Sequence, residues 1–213
     1  MENRHMTTRF LYLFDPMCGW CYGASDAIAT LAAQPGAAVE PLPTGLFAGA
    51  GARTLDRGMA THILTSDRAI GAATGATFGD AYRARITGGD DVRLDSGPAT
   101  LALTAVARTA PDRELALLGL IQRARYRDGR NIADTGVLAD LLRAAGLEPA
   151  AVALVADAPD LRAATRQRLE RAGSILRAHG LRGVPALLRI DGDTLTPIDT
   201  NLLYRDPLSL LAA

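Results

Sequence analysis

The chain opens with a short apolar run at residues 10–14, Phe-Leu-Tyr-Leu-Phe, closed by Asp15-Pro16. An unbroken apolar run of that length before a turn signal predicts a buried strand. Residues 18–33 follow, with Ala24, Ile28, Leu31 and Ala32 near helical spacing, and Pro35-Gly36 ends that helix. Residues 39–42 predict a second strand, leading into a Gly-rich loop at 45–51. From about residue 55 to 180 the helical period dominates, first with a short face of Met59, Ile63 and Leu64. Helices are predicted at 99–107 and 114–126, then one with Asp134 as N-cap and Gly146 just past its end. A long helix over 160–179 is stopped by Gly180. The period then returns to two: 186–190 and 195–198 flank Asp191-Gly192-Asp193, a hairpin signal, and 207–213 predicts a terminal helix.

Strand–helix–strand at one end and a hairpin at the other, with helices between, predict an α/β domain interrupted by a helical insertion. Two sequential domains would leave the terminal hairpin without a sheet, and isolated hairpins are marginal. The expected division is residues 9–45 with 181–213 as one discontinuous domain. Residues 46–180 form the insertion, whose last helix returns to the first domain.

Composition narrows the function. The 213 residues carry 23 basic and 23 acidic side chains, so the formal charge is zero. A nucleic-acid-binding domain normally shows a basic excess, and none is expected as partner. Every basic residue is Arg, which removes Schiff-base, Lys-nucleophile and P-loop chemistry. No apolar run is long enough to span a membrane, and the polar residues before Arg9 lack the apolar core of a secretory signal. A cytoplasmic protein is expected. Met6 offers an alternative start, so residues 1–5 stay outside the fold argument.

The cysteines are Cys18 and Cys21 alone, spaced C-x-x-C between the first strand and the first helix. A cysteine at a helix N-terminus faces unpaired N–H groups and the positive end of the macrodipole, which favours its thiolate. Cys21, one turn deeper, is within closing range. Cys18 is therefore expected to attack and Cys21 to resolve, with Gly19-Trp20 tuning the pair. Half of a zinc site is the competing reading. No second C-x-x-C exists, however, and His5, His62 and His179 show no ligand spacing. Two unrelated core cysteines are a further alternative. Asp15 reads as a turn residue before proline rather than a proton acceptor. The Arg-rich stretch 162–177 reads as a solvated helix face, and residues 45–51 lack a dinucleotide fingerprint. Trp20 and Tyr22 read as a substrate rim or as packing against the insertion. Gly183-Val184-Pro185-Ala186 precedes the third strand; alone, Pro185 would be an ordinary trans proline.

Together, Cys18-Gly19-Trp20-Cys21 and Gly183-Val184-Pro185-Ala186 resemble the thioredoxin superfamily, and the helices between them resemble its DsbA family. Asp15-Pro16-Met17-Cys18-Gly19-Trp20-Cys21-Tyr22-Gly23 and Tyr126-Arg127-Asp128-Gly129-Arg130-Asn131-Ile132 are similar to the cytosolic FrnE-like disulfide-isomerase branch. The resemblance runs over residues 9–211. It implies a thioredoxin-like α/β fold with an inserted all-helical domain. It also implies a nucleophilic Cys18, a resolving Cys21, and Pro185 as a cis-proline beside them. The backbone of Val184 would pair with an extended substrate, with Gly19 and Trp20 adjoining it. The implied activity is that of a disulfide oxidoreductase or isomerase on proteins with thiols or disulfides. It needs no metal or prosthetic group; glutathione or a reductase would serve as redox partner. Many secreted DsbA relatives place Pro-His between the cysteines, where this chain has Gly-Trp. Hydroxychromene-carboxylate isomerases share the architecture with a lone Ser or Cys. A glutathione-dependent small-molecule isomerase or transferase is therefore the alternative.

Overall fold

The computed structural model describes residues 7–88 and 92–211; His5 and the Met6 start lie outside them. The chain begins with β1 (Thr8–Phe14), α1 (Gly19–Gly23), α2 (Ser25–Ala32) and β2 (Ala37–Pro43). It continues through β3 (Arg53–Thr54), α3 (Arg57–Thr74), α4 (Asp80–Thr87) and β4 (Arg93–Leu94). Helices α5 (Gly97–Thr109), α6 (Glu114–Tyr126), α7 (Thr135–Ala144), α8 (Glu148–Ala156) and α9 (Pro159–Ala178) follow. The chain closes with β5 (Ala186–Asp191), β6 (Thr194–Ile198) and α10 (Thr200–Arg205).

The main sheet runs β2-β1-β5-β6, so both ends of the chain meet in it. β1 pairs parallel to β2, through the crossover that α1 and α2 provide, and antiparallel to β5. A central strand buries both faces, which is why residues 10–14 are uniformly apolar. Their side chains alternate. Phe10, Tyr12 and Phe14 join the core shared with α2 and the inserted helices, whereas Leu11 and Leu13 pack with Ala172 of α9 on the other face. The last long helix thus covers the sheet's second face. The β5–β6 hairpin turns at Gly192-Asp193, with Gly192 at a φ of 58°.

Several expectations need correction. The helix expected over 18–33 is two, α1 and α2, meeting at Ala24. The middle block is not wholly helical: β3 and β4 form a two-residue antiparallel pair. α4, α8 and α10 were not anticipated, and α3 is far longer than the Met59–Leu64 face implied. The described part of the expected terminal helix is a 3-10 turn, Pro207–Leu211. By contrast, Asp134 does cap α7, accepting from the backbone N–H groups of Gly136 and Val137. The Arg-rich face of α9 is not entirely solvated, since Arg168 reaches Glu114 at 2.7 Å and the Pro41 carbonyl at 2.9 Å.

Candidate active site

The site is assembled where β1 stops. Asp15 is fully buried. Its carboxylate accepts from the Met17 N–H at 2.8 Å, the Phe47 N–H at 3.1 Å and the Ser96 hydroxyl at 2.7 Å. The turn reading is therefore incomplete. Asp15 shapes the turn and also ties it to two insertion segments. Burial raises its pKa, against the pull of those three donors.

Cys18 occupies the N-cap position of α1, with extended backbone angles. Its relative exposure is 7%, and that of Cys21 is 0%. Both are unpaired thiols. A hydrogen bond from the Cys21 side chain lowers the Cys18 pKa, helped by the N–H groups of Cys21 and Trp20 and opposed by burial and Asp15. Burial drives the Cys21 pKa in the opposite direction, upward. The same C-x-x-C thus holds two chemically different sulfurs.

Across from them, the Cys18 thiol donates to the Val184 carbonyl at 3.4 Å. The Val184–Pro185 peptide is cis, as the pairing of this proline with the upstream C-x-x-C suggested. Val184 and Pro185 are both half-buried. Trp20 is 38% exposed and leans on Tyr204 of α10 at 5.9 Å between ring centroids, while Tyr22 is buried and stacks on Tyr126 at 4.6 Å. The two aromatics separate: one lies at the surface, the other packs.

Gly19 does more than keep the dithiol loop short. A Cβ there would lie 2.9 Å from Ile70 Cδ1, so any larger residue would force Ile70 of α3 to shift. Behind the loop, the Tyr126 hydroxyl donates to the Met17 carbonyl at 2.7 Å. Residues the sequence reading did not single out line a cavity of about 300 Å³ with Cys18 and Gly19. Asp67, Tyr82 and Arg125 stand among them. The available signal was a charge inside an apolar helical face: Asp67 falls between Ile63 and Ile70, and Arg125 beside Tyr126. Among the described residues, no three His, Cys, Asp or Glu side chains converge as metal ligands would.

No protein-family profile and no curated sequence matches the chain. Solved structures do. The cytosolic disulfide reductase DsbM from Pseudomonas aeruginosa is 29% identical, with a TM-score of 0.84 over 96% of this chain and 95% of that one. The same reductase with GSH gives 0.81 at 29% identity, covering 96% of each. In fold the chain is similar to these DsbA-family oxidoreductases of the thioredoxin superfamily. It has a thioredoxin fold with a helical insertion, and it is a thiol–disulfide oxidoreductase. A candidate protein disulfide isomerase from Nitrosomonas europaea shares the fold at 22% identity and TM-score 0.77, over 97% and 98% of the two chains. A 2-hydroxychromene-2-carboxylate isomerase shares the fold alone, at 13% identity and TM-score 0.61, covering 96% of each chain.

Proposed function

We propose that the chain reduces disulfides through the Cys18–Cys21 dithiol, in the cytoplasm. The observation that carries this reading is the inequality of the thiols: Cys18 is reachable at a helix cap with a lowered pKa, and Cys21 is sealed beneath it with a raised one. Cys18 thiolate attacks one sulfur of a substrate disulfide, forming a mixed disulfide and releasing the other sulfur as thiolate. Cys21 then loses its proton to solvent and attacks Cys18, releasing the second thiol. The enzyme ends as the Cys18–Cys21 disulfide, oxidised by two electrons, and the substrate ends as two thiols. Two glutathione molecules, or a dithiol reductase, restore the dithiol. The GSH found with DsbM supports glutathione in that role. The Val184 backbone, beside Cys18, would hold an extended protein substrate as an added strand, with Trp20 and Gly19 bordering it. Disulfide isomerisation uses the first attack without net electron transfer. It is a second activity of the same site.

The test is trapping. Incubated with a disulfide-bonded protein or glutathione disulfide, the Cys21→Ser variant accumulates mixed disulfides at Cys18, and Cys18→Ser accumulates almost none. Trapping by Cys18→Ser instead would reverse the assignment. Glutathione-dependent isomerisation of a small molecule that survives Cys21→Ser would favour the alternative reading, which the shared architecture of the 2-hydroxychromene-2-carboxylate isomerase supports.

A further inference from the structure

Arg125, near the C-terminal end of α6, is 3% exposed. Its Nε is buried without a hydrogen-bond partner, and the side chain makes no hydrogen bond or ion pair among the described residues. Its neighbours are ring faces: the guanidinium lies 5.6 Å from the Tyr82 centroid and 5.3 Å from that of Tyr126. Stacking of this kind orients the planar cation and leaves its N–H edge free. A buried, unpaired guanidinium otherwise costs the fold heavily, so it calls for an anion. Arg125 lines the cavity that also holds Cys18.

Asp67, on α3, lines the same cavity and is 7% exposed. Its Oδ2 accepts from the Tyr82 hydroxyl at 3.0 Å. Its Oδ1 makes no hydrogen bond among the described residues and lies 3.5 Å from where a Gly19 Cβ would stand. No ion pair joins Asp67 to Arg125. Two opposite charges therefore face one small space, each with an open hydrogen-bonding edge, and the reactive sulfur shares that space.

We propose that this cavity recognises the zwitterionic α-amino-acid head of a low-molecular-weight disulfide, Arg125 taking its carboxylate in a two-point grip and Asp67 its ammonium. The ligand's sulfur then faces Cys18. The proposal rests on Cys18 as the attacking thiol and names the small-molecule substrate class of that site. About 300 Å³ is at the lower end for small-ligand sites, enough for an amino-acid-sized group. Cystine and glutathione disulfide both carry this head, at different distances from the sulfur. Arg53 on the cavity lining adds a cation that suits the second carboxylate of a glutathionyl group. The chemistry is the exchange already written: the dithiol is oxidised to Cys18–Cys21 and the small disulfide leaves as two thiols.

Single-turnover oxidation of the reduced full chain tests the proposal with glutathione disulfide and four smaller disulfides. Cystine carries both charges, 3,3′-dithiodipropionate lacks the ammonium, cystamine lacks the carboxylate, and 2-hydroxyethyl disulfide lacks both. Each rate is divided by that of free dithiothreitol with the same disulfide, which cancels leaving-group reactivity. Cystine or glutathione disulfide should exceed 2-hydroxyethyl disulfide at least tenfold. Arg125→Met should lower the carboxylate-bearing substrates at least tenfold and leave cystamine and 2-hydroxyethyl disulfide within threefold. Asp67→Asn should lower only those with an ammonium. Arg125→Lys, which keeps the charge and spares the fold, should retain part of the carboxylate preference. The larger Arg125 dependence, of cystine or of glutathione disulfide, identifies the source. Equal loss on all four, or no preference in the unmodified protein, overturns the proposal. Failure to react with any disulfide, or Cys18→Ser reacting like the unmodified protein, would instead overturn the reading of Cys18.

Discussion

The Cys18 thiol and the Val184 carbonyl meet at 3.4 Å although 166 positions separate them in the chain. That contact puts the reactive sulfur beside a backbone edge formed from the other end of the protein. It also leaves Cys21 on the inner side, away from solvent.

The first expected consequence is unequal labelling. In the reduced protein at mildly acidic pH, iodoacetamide should modify Cys18 at least tenfold faster than Cys21. The Cys18 rate should rise with a midpoint below the ordinary thiol value of 9.0. Peptide mapping by mass spectrometry reads both; equal labelling would contradict the assignment.

Gly19→Ala should destabilise the protein by about 1–3 kcal/mol, because the new Cβ would press on Ile70 Cδ1 at 2.9 Å. Ile70→Val removes that atom. The double variant should therefore be more stable than the sum of the two single changes, as denaturant titration would show. Strict additivity would mean that α1 and α3 do not touch here.

Asp67 supplies a pH dependence. Burial pushes its carboxyl up to about 6, against the Tyr82 hydroxyl and the field of Arg125. A carboxyl whose pKa is raised on folding favours the fold while protonated. Its contribution is complete below the unfolded value near 3.8 and is lost as pH rises through about 6. Relative to Asp67→Asn, the unmodified protein should lose about 2–3 kcal/mol between pH 4 and 7. Parallel stability curves for the two proteins would contradict this.

Tyr126→Phe deletes the 2.7 Å hydrogen bond to the Met17 carbonyl and leaves that buried acceptor unpaired. A loss of about 1–3 kcal/mol in thermal or denaturant stability is expected. The ring stack on Tyr22 survives the change, so near-ultraviolet circular dichroism of the native state should be nearly unaltered.

What could be read from the chain alone follows from how local each signal is. The residue 10–14 strand, the Asp134 cap and the Asp191-Gly192-Asp193 turn are local, and each is in place. The C-x-x-C and the Val184–Pro185 pair were legible because their residue types are distinctive. α3 was under-read because only Asp67 and Ile70 of its 18 residues are buried, too few to impose a period. α8 is apolar on nearly all sides, so no face stands out. Asp67, Tyr82 and Arg125 escaped because their meaning lies in contacts between separate helices. Asp15 was read correctly as a turn residue, but its tie to the insertion was missed for the same reason: its partners Phe47 and Ser96 sit 32 and 81 positions away.

The span between Cys18 and Val184 also matters during synthesis. At about 5–20 residues per second, the ribosome takes on the order of 10–30 s to add the 166 positions between them. Tyr126, which grips the Met17 carbonyl, arrives only after 109 positions. Throughout that interval the dithiol loop lacks one or both of the long-range contacts that Val184 and Tyr126 later supply. Until residue 184 has been added, the side of Cys18 that later meets the Val184 carbonyl has no cover from it.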